Sequence, residues 1–156
     1  MMVLGAPTAN WARYFGTYTG ETYAATRFIN SQSVANKFCV GYRRQANSQT
    51  HVEIALGTRK TISLSYNSLK VYSSIAGGTP LQTTTLSAPN GSTDTSTMQI
   101  FHAKSKMRLY EFIIKHSGTV ILDLVPVLHE GKGQMFDTVS KTLFKNTGTV
   151  DFIIPS

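Results

Sequence analysis

The chain has 156 residues and a mass of 17.1 kDa, with 41% hydrophobic residues, only 15% charged residues and a net charge of +7. That length suits one domain able to bury a core without cross-links, and the hydrophobic share excludes disorder by composition. A single cysteine, Cys39, excludes an internal disulfide and a multi-cysteine metal site, and no apolar run approaches the roughly 18 residues of a membrane helix.

The first segment, Met2-Val3-Leu4, is apolar and extended in character, and Met1 to Ala9 shows neither a basic n-region nor an apolar h-region, so no signal peptide is expected. Gly16 and Gly20 bracket a Thr/Tyr-rich turn. Asn30 to Asn36 is the one place that suits a helical turn. Phe38, Val40 and Tyr42 alternate with Lys37, Cys39, Gly41 and Arg43, and Ile62, Leu64 and Tyr66 alternate with Thr61, Ser63 and Ser65. Both are the period-two pattern of a strand with one buried face. Gly77-Gly78-Thr79-Pro80 and Ala88-Pro89-Asn90-Gly91 are turn signals, and the Ser/Thr-rich stretch Thr83 to Thr97 reads as strand, loop and strand with its tip near Asn90-Gly91.

In Arg108 to His116, Tyr110, Phe112 and Ile114 share one face of a strand. His116-Ser117-Gly118 turns the chain into Thr119 to Val127, whose near-continuous apolar run predicts a strand covered on both sides. Glu130-Gly131-Lys132-Gly133 opens a further loop, Asn146-Thr147-Gly148 marks a turn, and Asp151 to Ile154 is the closing strand. Many short strands with frequent turns and no fixed repeat predict an all-β antiparallel sandwich.

No residue set announces catalysis or a metal. The eight carboxylates (Glu21, Glu53, Asp94, Glu111, Asp123, Glu130, Asp137 and Asp151) include no pair at i, i+2 or i, i+4, the local spacing that would place a glycosidase's two carboxyls together. His51, His102, His116 and His129 lack zinc spacing, Thr93-Asp94-Thr95 offers calcium one carboxylate, and Gly131-Lys132-Gly133 is no phosphate loop. The cations are scattered, with short clusters at Arg43-Arg44, Arg59-Lys60 and Lys104 to Arg108, and lack the basic-aromatic interleaving of single-strand nucleic-acid binders.

The segment from Arg108-Leu-Tyr110-Glu-Phe112-Ile-Ile114 through Ser117-Gly118-Thr119 and Asp123-Leu-Val-Pro126-Val127 to Gly133-Gln-Met-Phe136-Asp137-Thr-Val139-Ser140 and Leu143-Phe144-Lys-Asn146-Thr-Gly148-Thr-Val-Asp-Phe152 resembles a C-terminal pattern of tail-fibre and other virion-associated proteins of bacteriophages. Trp11-Ala-Arg-Tyr-Phe15-Gly16 and Ile100-Phe-His-Ala103 extend the resemblance upstream. It implies a concanavalin A-like (laminin-G-like) jelly roll over residues 1–156, either short of the family's first strands or part of a longer chain. It also implies a non-enzymatic virion protein that adheres to host-surface glycans or serves purely as an assembly module.

The motif residues have local roles of their own. Gly118 is expected to supply a positive φ, Pro126 to end a strand, and Asp137 to bond amides two residues on. The expected partners are other virion proteins or copies of the chain, a trimer among them, and a host cell-surface glycan, without nucleic acid, membrane insertion, cofactor or metal. The sequence assigns no ligand-binding residue. Trp11, Tyr14, Tyr18, Tyr23 and Tyr42 with Arg43-Arg44 are the aromatic and cationic side chains suited to stacking on a sugar.

Overall fold

A computed structural model describes residues 2–3, 13–17, 27–30, 37–41, 50–53, 57–65, 68–73, 77–85, 98–100, 107–148 and 152. Among these residues there is no helix, and every strand pairing is antiparallel. The chain forms two compact units, Met1–Arg108 and Leu109–Ser156.

Among the described residues the first unit holds ten strands: β1 (Met2–Val3), β2 (Arg13–Thr17), β3 (Arg27–Asn30), β4 (Lys37–Gly41), β5 (Thr50–Glu53), β6 (Thr61–Leu64), β7 (Ser68–Tyr72), β8 (Gln82–Thr85), β9 (Met98–Ile100) and β10 (Met107–Arg108). A five-stranded sheet runs β5-β4-β3-β2-β9, a three-stranded sheet runs β6-β7-β8, and β1 pairs with β10. The pairings β1 with β10 and β2 with β9 are nested, so the end of this unit returns to its beginning. Gly16 lies inside β2, opposite Arg27, and not at the edge of a turn as its sequence context suggests. The helical turn expected at Asn30 to Asn36 and the Asn90-Gly91 tip fall, beyond Asn30, outside the described residues.

The three-stranded sheet shows how alternation sets its two faces. Leu69 and Val71 of β7 are 0% and 4% exposed, and their cross-strand neighbours Leu64, Ile62, Thr84 and Gln82 share that inward face. Side chains of successive strand residues leave on opposite sides, so Ser68, Lys70 and Tyr72 are directed to the other face. The Gly77-Gly78-Thr79-Pro80 signal is a turn, with Gly77 at φ 105°.

The second unit is a meander of β11 (Phe112–His116), β12 (Thr119–His129), β13 (Lys132–Asp137) and β14 (Leu143–Phe144), in that order across the sheet. The long strand β12 is a splint. Its first half pairs with β11 and its second half with β13, and Leu124 alone is registered with both, against Phe112 and Asp137. The expectation that Thr119 to Val127 is covered on both sides is corrected by the exposure at its start, where the successive residues Val120 and Ile121 are 37% and 54% exposed. Thr119, Val120 and Ile121 lie beyond the reach of β13, where β12 has only β11 beside it. The buried side chains of this sheet are Leu124 in β12 and Gln134, Met135 and Asp137 in β13.

Pro126 does not end β12, which continues to His129. The ladder to β11 is what stops there, at the Phe112–Leu124 pair. The Asp123 N–H is directed to the β13 side, so by alternation the Pro126 nitrogen faces the β11 side, where a proline has no proton to donate. The chain bends at Tyr110, so Arg108 to His116 is divided into β10 and β11 and is not one strand.

The first two hairpin turns of this sheet have two residues each. Ser117-Gly118 (φ 48° and 83°) joins β11 to β12, and Glu130-Gly131 (φ 52° and 74°) joins β12 to β13. Positive φ at both central positions matches the right-handed twist of the flanking strands, as expected for Gly118. Lys132 and Gly133 belong to β13 and not to a loop, because the turn at Glu130-Gly131 is complete in two residues. Gly148 N–H donates to Asn146 Oδ1 at 2.8 Å, forming the expected turn. Of the expected closing strand only Phe152 is described, and it forms an antiparallel bridge to Gly133.

The buried row and the strained turn each give a measurable expectation. Leu69→Ala lowers the unfolding free energy by about 2–5 kcal/mol, read from urea denaturation. Glu130→Asn raises it by roughly 0.5–1 kcal/mol, because asparagine tolerates the left-handed region that a glutamate occupies at a cost, seen as a higher denaturation midpoint at unchanged slope. The same substitution removes the Glu130 carboxylate from His129, 3.9 Å away. Both side chains are exposed, so that pair contributes little.

Candidate functional site

The outward face of the β6-β7-β8 sheet is the most distinctive chemical surface among the described residues. Its middle row runs Ser63, Lys70, Thr83 across the three strands. The row on one side is Thr61 and Tyr72, with Leu81 just ahead of β8 at 62% exposure. The row on the other is Ser65, Ser68 and Thr85. Neighbouring strands lie about 4.8 Å apart and same-face residues along a strand about 7 Å apart, so the side chains form a regular grid.

Ser63, Thr83 and Thr85 are exposed, and Lys70, Tyr72 and Ser68 are half-buried. The Ser65 amide and hydroxyl both donate to Ser68 O, at 2.9 and 3.2 Å, and the two hydroxyl oxygens are 2.8 Å apart, which fixes that corner. Each hydroxyl can donate one hydrogen bond and accept two, whereas an ammonium only donates. The grid therefore offers mixed donors and acceptors around a single cation, with one aromatic side chain beside it. From Ile54 to Thr93 the chain contains no Asp or Glu.

The second unit gathers two carboxylates that sequence spacing keeps apart. Asp137, 2% exposed, accepts hydrogen bonds from Asp123 N–H (2.9 Å), Val139 N–H (3.1 Å), Ser140 N–H (3.0 Å) and the Ser140 hydroxyl (2.5 Å). The Val139 bond is the one expected two residues on. Thr138 Oγ1 donates to Asp123 Oδ2 at 2.6 Å, and Thr138 N–H to Asp123 O at 2.8 Å. Asp137 is registered with Leu124, one position along from Asp123, so the two side chains leave the sheet on opposite faces. This is a clasp that ties the Thr138–Ser140 turn to β12. The Ser140 hydroxyl first, and the Asp123 amide next, hold the Asp137 carboxyl well below the usual carboxylate range, against a smaller opposing effect of burial.

No family model, no curated protein and no solved structure matches the chain. Of the aromatic and cationic residues singled out from sequence, Tyr14 lies in β2, at an irregularity between Arg13 and Phe15, while Trp11, Tyr18, Tyr23, Tyr42, Arg43 and Arg44 fall outside the described residues. The register sets Cys39 directly across from His51, a proximity that linear sequence hides. Among the described residues no three His, Cys, Asp or Glu are gathered as for a metal ion, and no helix is long and apolar enough to cross a membrane.

The hydroxyl face itself is not among the features that sequence reasoning singles out. Its signal is Ser and Thr alternating with apolar residues in β6, Ser68 and Tyr72 flanking Lys70 in β7, Thr83 and Thr85 in β8, and no acid nearby.

The clasp yields a prediction about acid. A carboxyl whose folded pKa is depressed contributes stability that is complete above its ordinary value, near 3.8, and is lost as pH falls through the folded value. Asp137→Asn, whose amide has one accepting oxygen where four donors are divided between two, should unfold several degrees lower than the parent at neutral pH. The gap between the two proteins should narrow steadily below about pH 4 in thermal scans.

Proposed function

We propose that this protein is a virion-associated, non-enzymatic adhesion domain of bacteriophage type that binds glycans on the host surface through the outward face of β6-β7-β8. The observation that carries the proposal is that face: an exposed hydroxyl grid with Lys70 and Tyr72 in it and no carboxylate. Sugars are recognised by hydrogen bonds to their hydroxyls and by flat contact with an aromatic ring, and the face supplies both. The resemblance of the Arg108–Phe152 segment to phage tail-fibre sequences supports the setting in a particle. A two-layer, concanavalin A-like jelly roll over the whole chain belongs to the same proposal, supported by antiparallel pairing throughout the described residues and by the one buried face of the three-stranded sheet.

A second reading, an assembly module without a ligand of its own, is favoured by one feature. Leu128 and Phe144 are 66% and 46% exposed on the same face of the four-stranded sheet, and an exposed apolar patch marks a surface for protein contact. In that reading the partners are other virion proteins or further copies of the chain, as a trimer or another oligomer.

Both readings meet in one experiment. The purified chain is applied to a glycan array and to intact bacterial envelopes, with native mass measured in parallel. The adhesion reading predicts retention on at least one surface polysaccharide, competed by the free sugar and weakened about tenfold or more by Ser63→Glu, which charges the grid. Absence of retention on every glycan, with incorporation into particles intact, would favour the assembly reading instead.

A further inference from the structure

We infer that the ligand of the β6-β7-β8 face is an acidic saccharide, one whose sugar carries a carboxylate or a sulfate, held at Lys70. The inference rests on the glycan reading above and adds the charge of the sugar to it. Lys70 occupies the central position of the grid, and its two cross-strand neighbours are the short hydroxyl residues Ser63 and Thr83. Neither is a carboxylate, so neither competes for the ammonium. The nearest acids along the chain are Glu53 and Asp94, seventeen and twenty-four residues away.

A neutral sugar would find its donors and acceptors in the hydroxyls alone. An ammonium offers only donors, and charge-assisted bonds to an anionic oxygen are about twice as strong as neutral ones. The charge distribution points the same way. Eleven of the fifteen Lys and Arg lie in Met1–Arg108 against three of the eight Asp and Glu, so the cationic balance of the chain resides in the unit that bears this face. A nucleic acid would call instead for several cations tracking a phosphate chain and for interleaved aromatics. The grid has one cation and one aromatic among six Ser and Thr.

The test uses the full chain and four defined probes: oligogalacturonate, the same oligomer with its carboxyls reduced to alcohols, dextran sulfate of similar length, and a single-stranded oligonucleotide. Binding is measured at low and physiological salt. The expected result is binding to oligogalacturonate or dextran sulfate, the preferred one identifying the acid group, with the reduced oligomer and the oligonucleotide about tenfold weaker or worse. Lys70→Gln should lose about tenfold for the acidic probe and leave any residual binding of the reduced oligomer unchanged. Lys132→Gln, the same loss of charge in the four-stranded sheet, should bind as the parent does.

Thr83→Glu, placing a carboxylate beside Lys70, is an independent variant that should weaken the acidic probe at least as much, and thermal unfolding confirms that each variant is folded. Equal binding of the acidic and reduced oligomers would overturn the acidic-sugar inference while leaving glycan adhesion standing. Equal losses in Lys70→Gln and Lys132→Gln, or tightest binding to the oligonucleotide, would overturn the site. Failure of every saccharide to bind would remove the inference and count against the glycan reading with it.

Discussion

Leu69 and Val71 are the most deeply buried side chains of the three-stranded sheet, and their burial leaves β7 no freedom to slip. Moving it by one residue against its neighbours would exchange them for Ser68, Lys70 and Tyr72. Burying a lysine without a partner carries a penalty comparable with the whole margin that separates a folded domain from an unfolded one. The core therefore dictates the surface. The positions of Ser63, Lys70 and Thr83 in one row are a consequence of where Ile62, Leu69 and Val71 must go, and a face built in this way is as rigid as the packing beneath it.

The four-stranded sheet solves a different problem. Its long strand β12 serves two partners in turn, and the overlap at Leu124 is one residue wide. The weak point of such an offset is the end of each ladder, where backbone groups lose their partners. Asp137 meets one of those ends by accepting the Asp123 amide while it shapes the turn that follows. Pro126 meets the other by having no amide proton to leave unpaired. Two side chains thus close what pairing alone leaves open.

Much of the fold is legible in the sequence because alternation is a strong signal where one face is buried. The strands at Lys37–Gly41, Thr61–Leu64 and Phe112–His116 coincide with alternating runs, and Ser117-Gly118 turns where glycine chemistry says it must. Composition misleads where geometry decides. The apolar run Thr119 to Val127 is fully buried only at Leu124, because hydrophobicity shows what a strand can bury and not what lies against it. Gly133 is a strand residue because the two-residue turn at Glu130-Gly131 is complete before it, and Gly16 is one because it pairs with Arg27 and Gln99 inside the five-stranded sheet. The candidate site is hidden for a related reason. Aromatics and charges stand out in a linear sequence, whereas the distinguishing property here is a row of small hydroxyls from three separate strands, assembled only by register. The proposed jelly-roll architecture and viral setting stand on the resemblance of the last third of the chain, and the proposed adhesive surface stands on the geometry of the three-stranded sheet.

The most direct measurement is a map of backbone amide shifts by NMR as oligogalacturonate is titrated into the protein. The account predicts perturbations centred on Ser63, Lys70 and Thr83 and fading towards Ser68 and Tyr72, with the β11–β14 strands unchanged. Shifts confined to the four-stranded sheet, or spread evenly over both units, would contradict it.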